Sequence, residues 1–210
     1  MITGASSGIG APTARLAADR YRLVLAARRV EALESLAAEL GGPGAAVAVT
    51  CDVTEWDQVE ALAARALDEF GRIDAVFANV GFGATRGFLE ESPEHWRSMI
   101  LTNVLGPALT IRATLPHLLE RGDGHYVITS SVAGRRALPG SLYSATKFDN
   151  DRIKVTLIEP GITDTEFFDD KPADWALRDE DIAREVLHAL TAPPGVEINE
   201  ILIRPTAQRG

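Results

Sequence analysis

The sequence predicts an α/β fold, a parallel β-sheet with helices packed on both of its faces. Three observations predict it. Short apolar runs alternate with amphipathic stretches along the chain. The runs lack polar alternation, as strands buried on both faces require. The residue patterns that carry chemistry fall just after the runs, where open α/β sheets bind their ligands.

The runs lie at 1–3, 23–26, 45–49, 75–78, 126–129, 155–158 and 200–203. Between them, Leu33, Leu36 and Leu40 share one helical face, as do Val59, Leu62, Ala66 and Phe70. Residues 93–119 read as a long helical stretch, and Ile182, Val186 and Leu190 mark a late helix. These spacings are those of an apolar stripe on a 3.6-residue period. Internal repeats and low-complexity tracts are absent from the sequence.

Composition sets the class. A chain of 210 residues with 46% hydrophobic and 24% charged residues suits one globular domain and excludes wholesale disorder. A net charge of −9 argues against a nucleic-acid partner. Cys51 is the single cysteine, so no internal disulfide framework exists, and it reads as a small buried apolar residue. His95, His117, His125 and His188 show no ligand spacing, so no metal site is expected. No apolar run approaches a membrane span and no secretory leader pattern opens the chain, so a cytoplasmic protein is the expectation.

After the first run stands Thr3-Gly4-Ala5-Ser6-Ser7-Gly8-Ile9-Gly10. Glycines at 4, 8 and 10 let the backbone turn sharply and approach a diphosphate, with the next helix offering its N-terminal amides. Pro12 falls in the first helical turn, where its missing N–H costs little. After the second run come Arg28 and Arg29, with no carboxylate at the strand end. An acidic residue there would take the 2′-hydroxyl of NAD, whereas guanidiniums suit the 2′-phosphate of NADP(H). A solvated pair at a helix start is the alternative reading of Arg28 and Arg29, and the glycine loop upstream favours the NADP(H) reading.

After the fifth run the chain reads Ser130-Ser131-Val132-Ala133-Gly134, then Tyr143-Ser144-Ala145-Thr146-Lys147. Tyr-x-x-x-Lys places both side chains on one helix face. An ammonium beside a phenol favours phenolate and lowers its pKa, making it a proton donor or acceptor near neutrality.

Taken together, the glycine loop, Leu101-Thr102-Asn103-Val104, the Ser-Val-Ala-Gly turn and Tyr143/Lys147 resemble the short-chain dehydrogenase/reductase family across nearly the whole chain. The resemblance implies a single Rossmann-type domain over residues 1–210, doubly wound, with about seven strands. It implies hydride transfer between NADP(H) and a carbonyl or alcohol substrate, in a homodimer or homotetramer. Gly4, Ser6, Ser7, Gly8, Ile9, Gly10, Arg28 and Arg29 would hold the cofactor, with Asp52 and Val53 at the adenine. The Asp52 carboxylate has a second reading as the N-cap of the following helix, a role for which Thr54 competes.

The same resemblance places Asn79 and Gly81 beside the cofactor ribose, although Ala78 and Val80 depart from the family's Asn-Asn-Ala-Gly. Pro160, Gly161 and Thr165 match the segment that meets the nicotinamide. Asn103, Ser131, Tyr143 and Lys147 would be the catalytic set. Turn chemistry favours Ser131, while the family spacing to the tyrosine points to Ser130. Pro107 cannot donate to the Asn103 carbonyl, which would then be released toward a water leading to Lys147; a plain kink is the alternative. Residues 166–175 would form a substrate loop, with Phe167, Phe168 and Trp175 covering substrate or packing on the core. The rival class is a cofactor-binding regulator without turnover.

Two features depart from the family. Only Met1-Ile2-Thr3 precede the glycine loop. Lys147 stands thirteen residues before Pro160, although a crossover between parallel strands needs room for a helix, and about twenty residues of the pattern are missing there. The hydrophobic pattern resumes cleanly at Ile153, which favours natural residues unrepresented in the sequence over true trimming. An intact mass of 22.5 kDa would exclude the former.

Overall fold

The structure, a computed structural model, describes residues 1–83, 91–131, 154–167 and 172–208. Its elements in order are β1 (Ile2–Thr3), α1 (Gly10–Ala17), β2 (Leu23–Ala27), α2 (Val30–Glu39), β3 (Ala46–Thr50), α3 (Trp56–Phe70), β4 (Ala75–Ala78) and α4 (Pro93–Ile100). A π-helical turn (Leu101–Leu105) joins α4 to α5 (Gly106–Arg121). Then follow β5 (His125–Thr129), β6 (Lys154–Pro160), β7 (Thr163–Asp164), β8 (Leu177–Arg178), α6 (Asp179–Leu190) and β9 (Glu200–Ile203).

Seven strands form one sheet in the order β3-β2-β1-β4-β5-β6-β9, and every neighbouring pair is parallel. This is the doubly wound Rossmann-type architecture. The chain winds outward from β1 to β3, then returns to start β4 on the other side of β1. A crevice opens at that reversal, above the carboxyl ends of β1 and β4.

The unalternating strands are explained by two cores. Val24, Val76 and Tyr126 face Val59, Leu62, Ile111 and Leu118 of α3 and α5. Their strand neighbours Leu25, Phe77 and Val127 face Ala14, Leu33, Ile182 and Val186 of α1, α2 and α6. Both faces of β2, β4 and β5 are therefore apolar. Burial on this scale is the main force holding the sheet.

Three local findings refine the sequence reading. The stretch at 93–119 is helical, but its middle is a π turn in which Gly106 N donates to Leu101 O. Pro107, without an N–H, sits at the start of α5 just beyond it. Second, β7 and β8 form a small parallel pair that brackets residues 165–176. Third, α3 starts at Trp56 with Glu55 as N-cap and no side-chain cap, so neither Asp52 nor Thr54 caps it. No helix among the described residues is long and apolar enough to cross a membrane.

Candidate active site

The glycine loop after β1 is shaped by backbone contact. Gly4 and Gly8 have φ of +69° and +50°, in the left-handed region that disfavours side chains. Gly10 is different: a Cβ there would lie 2.2 Å from Gly4 O and 2.9 Å from the Ala5 Cα. The first turn of α1 thus lies directly on the loop. Ile9 is the N-cap and supplies no side-chain bond, so the helix start is uncapped by side chains. Pro12 is the third residue of α1, inside the first turn. A cradle of this kind, closed to side chains and lined by amides, fits a diphosphate.

Asn79, just past β4, fixes the loop from the side. Its backbone N–H donates to Thr3 Oγ1 at 3.1 Å, and its Nδ2 donates to Gly4 O at 3.5 Å. Its Oδ1 accepts from Thr129 Oγ1 at 3.0 Å. One side chain therefore ties β1, β4 and β5 together at the crevice.

Beyond it, Asn103 in the π turn grips the segment after β4. Asn103 Oδ1 accepts from Phe82 N at 3.0 Å, and Nδ2 donates to Phe82 O at 2.8 Å. Gly81 lies under this clamp, where a Cβ would come within 3.3 Å of Asn103 Oδ1. The Asn103 side chain is thus a structural clamp.

At the end of β2, Arg28 and Arg29 are exposed. Arg29 Nη2 donates to Ser7 Oγ and to Glu166 Oε2, the latter at 2.8 Å, and Nε donates to Ser6 Oγ at 3.4 Å. The Arg29 bond, with one from the Ser7 hydroxyl, holds the Glu166 carboxyl below its ordinary pKa. Arg28 makes itself felt on Asp52, after β3. Partial burial works against ionisation of Asp52, but the Thr54 N–H, the Thr54 hydroxyl and the Arg28 charge together lower its pKa. Asp52 Oδ1 accepts both Thr54 bonds, at 3.0 and 2.8 Å. Val53 is buried, and a Cβ on Gly106 would meet it at 2.7 Å. Burial, with the Asp52 charge beside it, pushes the Cys51 thiol up to about 11, so it is an inert core residue.

After β5, Ser130 is buried and its N–H still pairs with Ile158 O at 2.7 Å. Ser131 is the first residue beyond that pairing and is partly exposed. Past β6, Gly161 N donates to Ile203 O at 2.7 Å, and Gln208 Oε1 accepts from Ile162 N at 3.1 Å. Thr165 lies over Gly8, its Cβ 3.5 Å from where a Gly8 Cβ would be. Phe167 packs on Gly83, where a Cβ would fall 2.6 Å from its ring. Phe167 and Trp175 are both exposed, at 40% and 43%.

The structure therefore gathers Gly4, Ser6, Ser7, Gly8, Ile9, Gly10, Arg29, Asn79, Gly81, Asn103 and Thr165 around one crevice. Tyr143 and Lys147, with Phe168, lie outside the described residues. Sequence reasoning gave no bonding role to Thr3, Thr129 and Gln208, and placed Glu166 only at the start of the expected substrate loop. Their partners are remote in the chain, and no local pattern marks them. No cluster of three or more potential metal ligands occurs among the described residues.

Comparison with known proteins adds the following. The short chain dehydrogenase family model matches residues 1–175. An uncharacterised oxidoreductase of Staphylococcus saprophyticus is 34% identical over 237 aligned residues, covering 99% of this chain and 96% of the relative. That alignment exceeds the 210 residues of the chain by 27, so at least that many of its positions have no counterpart here. An alcohol dehydrogenase from the archaeon Thermococcus sibiricus, complexed with 5-hydroxy-NADP, superposes with a TM-score of 0.89 at 31% identity, covering 100% of this chain and 97% of that one. A 3-ketoacyl-(acyl-carrier-protein) reductase from Brucella melitensis, complexed with NADH, gives a TM-score of 0.83 at 25% identity, with 98% and 96% coverage.

Proposed function

This chain belongs to the short-chain dehydrogenase/reductase family, and from that premise we propose an NADP(H)-dependent oxidoreductase that interconverts an alcohol and a ketone or aldehyde. The observation that carries the cofactor reading is the cradle in which Gly10 meets the Gly4 backbone, flanked by two arginines and no carboxylate at the end of β2. The Thermococcus relative, with its NADP analogue, supports a phosphorylated dinucleotide. The Brucella relative shows that the same fold also accommodates NADH.

When bound, the nicotinamide cofactor supplies or receives the hydride. The protein binds, orients and moves the proton. The glycine loop and the α1 amides would hold the diphosphate, Arg28 and Arg29 the 2′-phosphate, and Asp52 with the Val53 backbone the adenine. Asn79, Gly81, Pro160, Gly161 and Thr165 would line the ribose and nicotinamide. Tyr143 gives its phenol proton to the carbonyl oxygen in reduction and takes it back in oxidation. Lys147 lowers the phenol pKa, Ser131 holds the substrate oxygen, and the Asn103 carbonyl anchors a water on the path to Lys147. The family pattern also supports a homodimer or homotetramer, which sedimentation would test.

Fluorescence titration with NADPH, and with NADH as control, tests the cofactor assignment. Tighter NADPH binding is expected, and equal or reversed preference would remove the assignment. Tyr143→Phe should lose at least about 100-fold in turnover while keeping NADPH binding; a variant with most of its turnover would remove the catalytic role. Ser131→Ala and Ser130→Ala, compared for rate, decide which serine acts.

A further inference from the structure

The segment after β6 lies across the crevice. Three successive residues touch three different loops of the proposed cofactor site: Thr165 over Gly8, Glu166 on Arg29, and Phe167 over Gly83. The middle contact is the informative one. Arg29 Nη2 reaches Glu166 Oε2 at 2.8 Å and also reaches Ser7 Oγ. A guanidinium at the end of β2, itself bonded to the glycine loop through Ser7 Oγ, thus holds one anion, and that anion belongs to the chain.

We propose that Glu166 is a specificity-determining residue, whose carboxylate competes with the cofactor's 2′-phosphate for Arg29. The inference rests on the NADP(H) reading above. Carboxylate and phosphate present similar paired oxygens to a guanidinium. One anion must leave before the other is bound, so the ion pair lowers affinity for the phosphorylated dinucleotide and leaves NADH untouched. The two side chains are 52% and 66% exposed, which keeps the exchange easy and its effect modest. Arg28, one residue away, makes no such hydrogen bond to Glu166.

The test uses the full chain and Glu166→Gln, with dissociation constants for NADPH, NADH, 2′,5′-ADP and 5′-ADP measured by fluorescence and calorimetry. Glu166→Gln should tighten NADPH and 2′,5′-ADP about two- to fivefold and leave NADH and 5′-ADP unchanged. The gain should vanish in the Arg29→Gln background. Unchanged NADPH affinity in Glu166→Gln, with wild type still preferring NADPH, would overturn this inference alone. Equal tightening of all four ligands would mean simple displacement of the segment and would also overturn it. Weaker NADPH binding would show Glu166 to be a clasp over the bound cofactor, contrary to competition. Absence of NADPH and 2′,5′-ADP binding in both proteins would overturn the NADP(H) reading itself and the inference with it.

Discussion

The two ends of the sheet use polar side chains in opposite ways. At the amino end, His125 of β5 is buried and its Nε2 lies 2.8 Å from Thr156 Oγ1. That hydroxyl spends its proton on Ile198 O, at 2.6 Å, so it accepts from a neutral imidazole. Nearby, the Tyr126 hydroxyl is buried 2.8 Å from Thr114 Oγ1, and burial pushes its pKa up to about 12. At the carboxyl end, Arg29 and Glu166 stand in solvent, and Arg29 bonds both Glu166 and the half-buried Ser7. A buried polar group is fixed to one partner because losing it leaves an unsatisfied atom in low dielectric. An exposed one can change partners with water as intermediary. Stability is therefore built at one end and exchangeable binding at the other.

The sharpest way to break that division is Gly10→Ala. The added Cβ would sit 2.2 Å from Gly4 O, a backbone atom that cannot rotate away. Helix α1 must shift off the loop, at about 3 kcal/mol. NADPH affinity should fall at least about tenfold, while the His125 and Tyr126 bonds persist. Denaturant unfolding and NADPH titration measure the two effects separately. Unchanged NADPH affinity would mean that the cradle is not where the diphosphate binds.

A pH series sharpens the other end. Burial first, and then the Lys154 charge, lower the His125 pKa from 6.5 to about 4, against smaller opposing effects of Glu197 and Asp123. Between those values the unfolded chain binds a proton that the folded chain refuses. The His125 contribution to stability should thus fall as pH drops from 6.5 toward 4 and flatten below, losing about 3 kcal/mol. Glu166, exposed, should contribute little of this slope. Unfolding free energies of wild type and His125→Gln across the range decide it: the variant should lose that part of the slope, and an unaltered slope would refute the assignment.

Asn103→Ala probes an intermediate case, a partly buried clamp beside the crevice. It removes both bonds to the Phe82 backbone and should cost about 1–2 kcal/mol. Exchange of the Phe82 amide should accelerate, and that readout separates loss of the clamp from any loss of the proposed proton path through the Asn103 carbonyl.

What the sequence made legible follows the same division. Apolar runs marked the inner strands β2, β4 and β5, because burial on both faces leaves a continuous local signature, whereas β1 was legible from the glycine loop after it and β9 is a half-exposed edge. The glycine loop was legible because backbone approach permits one residue type. Glu166 was not legible, since its partner Arg29 is 137 positions away and a surface carboxylate carries no pattern. The short β7–β8 pairing depends on where the chain is brought by the sheet. Asp52 was open between two roles, and the geometry leaves its capping role aside because α3 begins later than the Asp52 side chain reaches.

Gly8→Ala should have the smallest effect and is the control for the largest. Gly8 has a φ of +50°, yet a Cβ there would meet only Thr165, at 3.5 Å, an ordinary contact. Conformational strain alone remains, about 1 kcal/mol. The comparison with Gly10→Ala separates two reasons for a glycine, backbone conformation and close approach. Affinity for NADPH should fall only a few-fold in Gly8→Ala, because the Gly4–Gly10 contact is untouched. If Gly8→Ala proves as damaging as Gly10→Ala, the constraint comes from above rather than below. The segment carrying Thr165 and Glu166 would then press on the loop itself, and removing the Glu166 carboxylate should restore part of the lost affinity.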